Sequence, residues 1–413
     1  MKYLVFEKEK IMRKRLSAGA GKTVRTAAVF AGAFAVTFAG GARMAHAEID
    51  RVISAEEWRA LYPEIVESME SNSDNNYRIS YLDEDPYLTN VYEGYGFAID
   101  YTSAVGHTYT LEDVHNTQRP HPLANCLTCK SPNFTKLVND LGEEVYSYDF
   151  EETWAQLDES ISCYNCHANH EANNGELVVT HQYIADAVGE DIAGINPATM
   201  ACGQCHIEYY FDPDNKATRS PIHGLEGITP ESVLDYYNEI GFTDWVQEST
   251  GTHMLKAQHP EFETFLGGKH AAFLSCADCH MAIVTKEDGT TYRSHKWESP
   301  LANEAILETC AKCHQGTDMV EFVHGIQEEI TAKEREVGES LSELKDTLSA
   351  AVEEGKLSEQ ELDEVRQLHR EAQWFWDYCY VENSEGAHNS ELANRCLDTS
   401  AQKIAEAMGK LKA

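Results

Sequence analysis

Ten of the twelve cysteines fall into five Cys-x-x-Cys pairs, and the residue after each pair decides what chemistry it can do. In CYNCH (163–167), CGQCH (202–206), CADCH (276–280) and CAKCH (310–314) that residue is histidine; in CLTCK (126–130) it is lysine. One such pair is compatible with a zinc site or a thioredoxin-like motif. Four with histidine in the same place point to covalent c-type haem, in which Cys163 and Cys166, Cys202 and Cys205, Cys276 and Cys279, and Cys310 and Cys313 add to porphyrin vinyl groups. His167, His206, His280 and His314 then bind the irons from below.

Low-spin electron-transfer haems carry a second strong axial ligand. Of the eighteen histidines, His107 (VGHTYT), His270 (GGKHAAF), His295 (YRSHKW) and His388 (EGAHNS) are the candidates for the opposite faces. On sequence alone each competes with a surface or core-hydrogen-bonding role. His115, His121, His170, His181, His223, His253, His324 and His369 are read as structural or exposed.

The fifth pair, Cys126 and Cys129, is followed by Lys130. A lysine amine binds iron only after losing its proton, which burial and the metal must together bring about. Such a ligand suits a haem that does something different from the others. With no histidine on the opposite face, its iron keeps the open position a catalytic metal needs. The alternative is a lysine that merely follows a redox or structural Cys-x-x-Cys.

CLTCK, the four Cys-x-x-Cys-His motifs in this order, CGQCHIEYYF (202–211) and KAQHPEFE (256–263) together resemble the pentahaem, ammonia-forming cytochrome c nitrite reductases, from about residue 90 to His388. The resemblance implies five covalent haems c and six-electron reduction of nitrite to ammonium, with hydroxylamine also a substrate and sulfite a weaker one. It implies a catalytic pocket of Arg119, Tyr209 and His259 on the open face of the Lys130 haem. Arg119 is the only arginine between His107 and CLTCK, and lies closer to Cys126 than the family pattern leads one to expect. The resemblance further implies a Ca²⁺ site made by the Glu208 carboxylate, the Gln258 amide oxygen and the backbone carbonyls of Tyr209 and Lys256, all oxygen donors. It pairs His107 with the CGQCH haem, His270 with CAKCH, His295 with CYNCH and His388 with CADCH. The rival reading is a pentahaem electron-transfer protein whose lysine-ligated haem is not catalytic.

In that chemistry arginine neutralises the anion with a charge that does not titrate in the working range. Histidine, whose charge changes near neutral pH, supplies protons, and the tyrosine hydroxyl fine-tunes.

The elements that must hold these groups read as mainly α, a multihaem cytochrome c fold with haems packed in the core and little β. Between 100 and 320 the periodicity is weak and the segments read as short helices and loops, with turns at DPDN (212–215) and EDGT (287–290). After His314 the pattern changes. Apolar residues at Val323, Ile326, Ile330, Val337, Leu341, Leu344 and Leu348 predict one amphipathic helix over 318–354, ending near Gly355. A second starts at Ser358 with Glu361 completing a capping box and runs to about Tyr380, and a third covers 398–411. The narrow stripe suits packing on the haem core and, by the resemblance, a homodimer interface. The division is therefore a signal peptide (1–47) and one catalytic unit (48–413), comprising a haem-binding core (48–317) and a helical region (318–413). Cys379 and Cys396 lie outside every motif. In an exported protein they are expected to form a disulfide closing a loop of about 18 residues, worth ~3 kcal/mol.

Export is read from the start of the chain. A basic stretch containing Lys10, Arg13, Lys14, Arg15, Lys22 and Arg25 precedes the apolar run AAVFAGAFAVTFAGGA (27–42), followed by Ala45-His46-Ala47. Cleavage after Ala47 is expected, an uncleaved anchor being the alternative, and Met12 would serve equally as the start. The expected location is the periplasm or the outer face of the cytoplasmic membrane. Removing 1–47 takes away nine Lys/Arg and two Asp/Glu, leaving 24 basic against 67 acidic residues and a net charge of −43. That surface disfavours nucleic acid and anionic membranes. It suits a redox donor, expected to be a quinol-oxidising membrane cytochrome or a soluble multihaem cytochrome.

Overall fold

The computed structural model describes residues 51–412 except 75, 171–174 and 356; the expected signal segment and its cleavage site lie outside the described residues. Each Cys-x-x-Cys-His motif closes one helical turn. The His167, His206 and His314 amides bond the carbonyls of Cys163, Cys202 and Cys310, four residues back, at 2.8–3.1 Å. Positions i, i+3 and i+4 share a helix face, so both thiols and the imidazole are presented together. In two motifs a capping box starts the turn: Ser162 pairs with Asn165, and Ser275 with Asp278. At CLTCK the turn is tighter, with the Lys130 amide bonding Leu127 three residues back.

Before residue 319 the helices are four to ten residues long, among them α1 (Pro132–Leu141), α2 (Pro197–Gly203), α3 (Glu261–Leu266) and α4 (Cys276–His280). The described strands form three two-stranded antiparallel hairpins: β1 (Tyr210–Phe211) with β2 (Thr218–Arg219), β3 (Trp245–Gln247) with β4 (Thr252–Met254), and β5 (Ile283–Thr285) with β6 (Thr291–Arg293). The DPDN and EDGT turns join the first and last of these.

Three long helices follow: α5 (Met319–Glu354), α6 (Glu359–Tyr380) and α7 (Ser390–Leu411). Gly355, in the left-handed conformation at φ 61°, ends α5, and the Ser358–Glu361 capping box starts α6. Helix α7 begins eight residues earlier than the pattern predicts. The Asn389 side chain caps it by accepting the Leu392 amide, and the first turn is amphipathic enough to bury Leu392 and Ala393.

The three helices pack on each other, and Leu341, Leu344, Trp374 and Trp376 continue into one apolar core with Tyr92, Ile184, Met254 and Phe262. A smaller cluster of Leu127, Phe134, Val145 and Phe150 backs CLTCK. From 267 to 317, by contrast, only Ala277, Ala282 and Ile306 are buried apolar residues. That stretch lacks the side chains for an ordinary core, which fits porphyrins as its interior.

The expected Cys379–Cys396 disulfide is not present: both thiols are free and buried. Cys379, on α6, donates from Sγ to Glu334 Oε1 on α5 at 3.1 Å, and Cys396 fills the α7 side of the bundle. Each serves as a small buried hydrophobe.

Candidate functional site

The eight histidines proposed as axial ligands meet in four pairs. Ring centres of His107 and His206, His167 and His295, His270 and His314, and His280 and His388 are each 6.1 Å apart. With a metal–imidazole bond of ~2 Å on either side and ~1 Å from each nitrogen to its ring centre, two imidazoles on one iron stand about 6 Å apart. The residues present therefore fit four bis-histidine haems.

His206 has a second imidazole, His259, also at 6.1 Å. The two sides differ: His206 Nδ1 faces Glu261 Oε2 at 3.7 Å, and His259 Nδ1 faces Glu261 Oε1 at 3.8 Å. That carboxylate takes the Nδ1 side and leaves Nε2 for an iron shared with His107. Burial pushes His107 down to about 3, aided by His206 and Lys130, so its imidazole is neutral, as a ligand requires.

The motifs interlock. Sγ of Cys129, Sγ of Cys205 and a His181 ring nitrogen lie within 4.8 Å of one another. Helix α2, which carries Cys202, packs on α4, which carries Cys276, and Cys279 lies near Cys310. The attachment points thus run in the order CLTCK, CGQCH, CADCH, CAKCH. CYNCH joins beside CGQCH, where the buried Gln204 donates to the Asn165 carbonyl at 3.0 Å and accepts the Thr180 amide at 2.5 Å.

Beside CLTCK the structure gathers the three pocket residues. Tyr209 and His259 present near-parallel rings 6.4 Å apart, tilted by 17°. The Arg119 guanidinium lies 4.3 Å over the Phe97 ring, with Nε bonded to Thr117 at 3.1 Å. Burial raises the Tyr209 hydroxyl far above its ordinary value, as do the Cys129 and Cys126 thiols, while the Arg119 charge pulls it back. Arg119, Tyr209 and both CLTCK cysteines are thus one neighbourhood. Lys130 is half-buried there, its carbonyl accepting Thr110 Oγ1 at 2.9 Å.

His259 sits where it does because its flanks are fixed. On one side α3 is pressed against CGQCH: a side chain at Gly203 would come within 2.3 Å of Phe262. On the other, α6 grips the backbone leading to Gln258 with residues spaced four, three and four apart. Arg366 donates to Thr250 O, Arg370 to His253 O and Phe242 O, and Gln373 to Leu255 O; Asp377 accepts the Ala257 amide.

The calcium candidates also converge. Glu208 is fully buried, accepting from Gln258 N at 2.6 Å and Tyr237 Oη at 3.0 Å. Burial pushes its carboxyl well above the usual range, and neighbouring Glu263 and Asp244 add to this against those hydrogen bonds. Gln258 Nε2 donates to the Lys256 carbonyl at 3.1 Å, which brings the side-chain amide and that carbonyl together. An acidic, oxygen-lined, buried spot of this kind fits a divalent cation. The Lys256 ammonium points elsewhere, to Asp377.

Sequence reasoning missed Glu261, Tyr237, Asp377 and Glu382 (below). Only Glu261, two residues after His259, carried a signal in the sequence. The histidines set aside are occupied otherwise: His115 stacks on Trp154, His121 meets Phe150 edge-on, and His181 bonds the Thr128 carbonyl.

Among known proteins, the family model for cytochrome c552 matches residues 54–413. The structure is similar to the cytochrome c nitrite reductase of Desulfovibrio desulfuricans, the catalytic subunit NrfA, which is described with two calcium sites. Identity is 26%, TM-score 0.77, with 86% of this chain and 85% of that one covered. Weaker likeness extends to the outer cell wall cytochrome OcwA (20% identity, TM-score 0.41, 72% and 48% covered). It extends also to an undecahaem cytochrome from the S-layer of Carboxydothermus ferrireducens (15%, 0.40, 74% and 41%).

Proposed function

Because the chain belongs to the cytochrome c552 family, we propose that it is an exported, ammonia-forming nitrite reductase with five covalent haems c. Four are ligated by the histidine pairs and the fifth by Lys130. The observation that carries this reading is the gathering of Arg119, Tyr209 and His259 beside the one motif that lacks histidine, while each of the other four motif histidines faces a partner imidazole at 6.1 Å. When bound, the Lys130 haem supplies electrons and an open iron position for the nitrite nitrogen.

Reduction to ammonium consumes six electrons and eight protons and releases two waters. Arg119 neutralises the incoming anion and donates hydrogen bonds to its oxygens as charge builds there. His259 delivers protons from the other side, just before the start of α3, with a Glu261 carboxylate oxygen 3.8 Å behind its Nδ1. The Tyr209 hydroxyl, kept protonated by burial, stays a donor throughout. Glu208, Gln258 and the carbonyls of Tyr209 and Lys256 would hold a Ca²⁺, which would brace the backbone on which Tyr209 and His259 stand and add positive charge to a very acidic protein.

Hydroxylamine, lying on the same reduction path, is a further substrate. Electrons enter from a quinol-oxidising or soluble multihaem cytochrome, and the helical region 318–413 forms the homodimer interface. Purified haem-loaded protein with reduced viologen tests the reading: stoichiometric ammonium from nitrite, with a high-spin electron paramagnetic resonance signal perturbed by nitrite, is expected. No turnover and five low-spin haems would make the chain an electron carrier instead.

A further inference from the structure

The segment between α6 and α7 is folded around one imidazole. His388 Nδ1 lies 2.6 Å from Glu382 Oε1. Ser384 Oγ donates to the other oxygen of that carboxylate and accepts the His388 amide at 2.9 Å, closing a ring of three hydrogen bonds within seven residues. The carboxylate is buried, Glu382 being 5% exposed. The turn that returns His388 is fixed at Gly386, where φ is +86° and any side chain would come within 2.7 Å of Ile330 on α5.

The other histidines of the four pairs are held differently. His280 and His295 place Nδ1 3.1 Å from the carbonyls of Glu298 and Arg293. The carboxylate facing His206 stands at 3.7 Å, beyond hydrogen-bonding distance. Among the described residues, no other ring of the four pairs has a carboxylate oxygen closer than that.

A charged acceptor on the outer nitrogen of an iron-bound imidazole makes the ligand more basic than a carbonyl does. A more basic ligand favours ferric over ferrous iron, and hydrogen bonding around the ligand is one of the levers by which a protein sets haem potential. We propose that Glu382 is a positioning residue that makes the CADCH haem the lowest-potential of the four bis-histidine haems. This rests on the pentahaem reading above. The CADCH turn packs on α2, which carries Cys202, on one side and on the helix that ends at Cys310 on the other, so this haem is an interior link. An electron placed on it does not rest there; reducing equivalents are stored on the haems to either side.

The test is redox titration of the full haem-loaded protein, followed by optical and electron paramagnetic resonance spectra. His388→Ala identifies the low-spin species belonging to this haem. In Glu382→Gln, with five haems attached, the midpoint potential of that species is expected to rise past at least one other, while the rest stay in place. Glu382→Asp, which keeps the charge but draws the carboxylate back from His388 Nδ1, is expected to raise it less. Unchanged potentials in a five-haem Glu382→Gln protein, or movement of a different species, overturns the proposal. If Glu382→Gln fails to load haem, Glu382→Asp decides: no upward shift of the His388 species overturns it. Fewer than five haems on the unmutated chain, or no low-spin species lost in His388→Ala, overturns the pentahaem reading itself, and the proposal with it.

Discussion

Lys256 Nζ and Asp377 Oδ1 are 3.1 Å apart with side chains 1% and 0% exposed, an ion pair wholly inside the protein. The pair joins the segment carrying Gln258 and His259 to the last turn of α6. The pair's own polar atoms have further partners. The second Asp377 oxygen takes the Ala257 amide, Tyr92 donates to the first, and Lys256 Nζ also reaches the Ala257 carbonyl while lying 4.9 Å over the Phe97 ring. Burial pushes Lys256 down and Asp377 up towards their neutral forms, and their mutual attraction opposes both shifts.

Removing one partner strands the other. Asp377→Ala is expected to destabilise the protein by ~3–5 kcal/mol and to free the 256–259 backbone. The double variant Lys256→Met, Asp377→Leu should be less damaging than either single change. Thermal unfolding of the three variants checks this; a double variant worse than both singles would show that the pair is worth more than its desolvation costs.

The helices were legible because their signals are local: the Ser358–Glu361 box and Gly355 are written in the sequence, as are the five motifs. The α6 ladder was not, since Arg366, Arg370, Gln373 and Asp377 look like the polar face of an amphipathic helix, and only tertiary packing turns that face onto a backbone. Glu382 was hidden for the same reason, lying six residues before the histidine it holds. The disulfide reading failed because loop length and compartment do not report which way two thiols point.

Glu334, buried between α5 and α6, is pushed from 4.5 up to about 8 by burial. A carboxyl whose folded value exceeds its unfolded one contributes its full stability below about pH 4.5 and loses it as pH rises through about 8. Glu334→Gln should therefore match the parent near pH 4.5, gain on it steadily to pH 8, and hold a constant lead above. Trp376, whose indole bonds the Glu334 carbonyl at 2.9 Å, is the reporter. A lead independent of pH would mean that Glu334 stays charged in the fold.

In the proposed reaction Arg119 and His259 act at different moments, so their variants should differ in kind. Arg119→Ala is expected to raise KM for nitrite and lower kcat/KM by 10²-fold or more, having lost both the anion's counter-charge and a transition-state donor. His259→Asn should lower kcat with a smaller change in KM, by 10²–10⁴-fold for a lost proton donor. Steady-state kinetics with a viologen donor separates them.

With ten cysteines bound to porphyrin, Cys379 and Cys396 are the thiols left over. Alkylation of the haem-loaded protein under denaturing, non-reducing conditions should add two labels by mass, and none in the native state, where both are buried. Zero labels after denaturation would restore the disulfide.

Calcium should be linked to protons through Glu208. Without a cation, burial keeps its carboxyl protonated well above the usual carboxylate range, so a cation that binds there must displace a proton. Affinity should then fall as pH is lowered. Calorimetric titration of calcium into metal-depleted protein, in two buffers of different ionisation enthalpy, should report about one proton released per ion near neutral pH. Dialysis against metal-free buffer should strip the ion more readily at pH 6 than at pH 8. Glu208→Gln removes both the charge and the proton: calcium retention and nitrite turnover should be lost together, while the four bis-histidine spectra persist. Calcium binding with no proton release would place the ion on other oxygens and leave Glu208 a protonated member of the core.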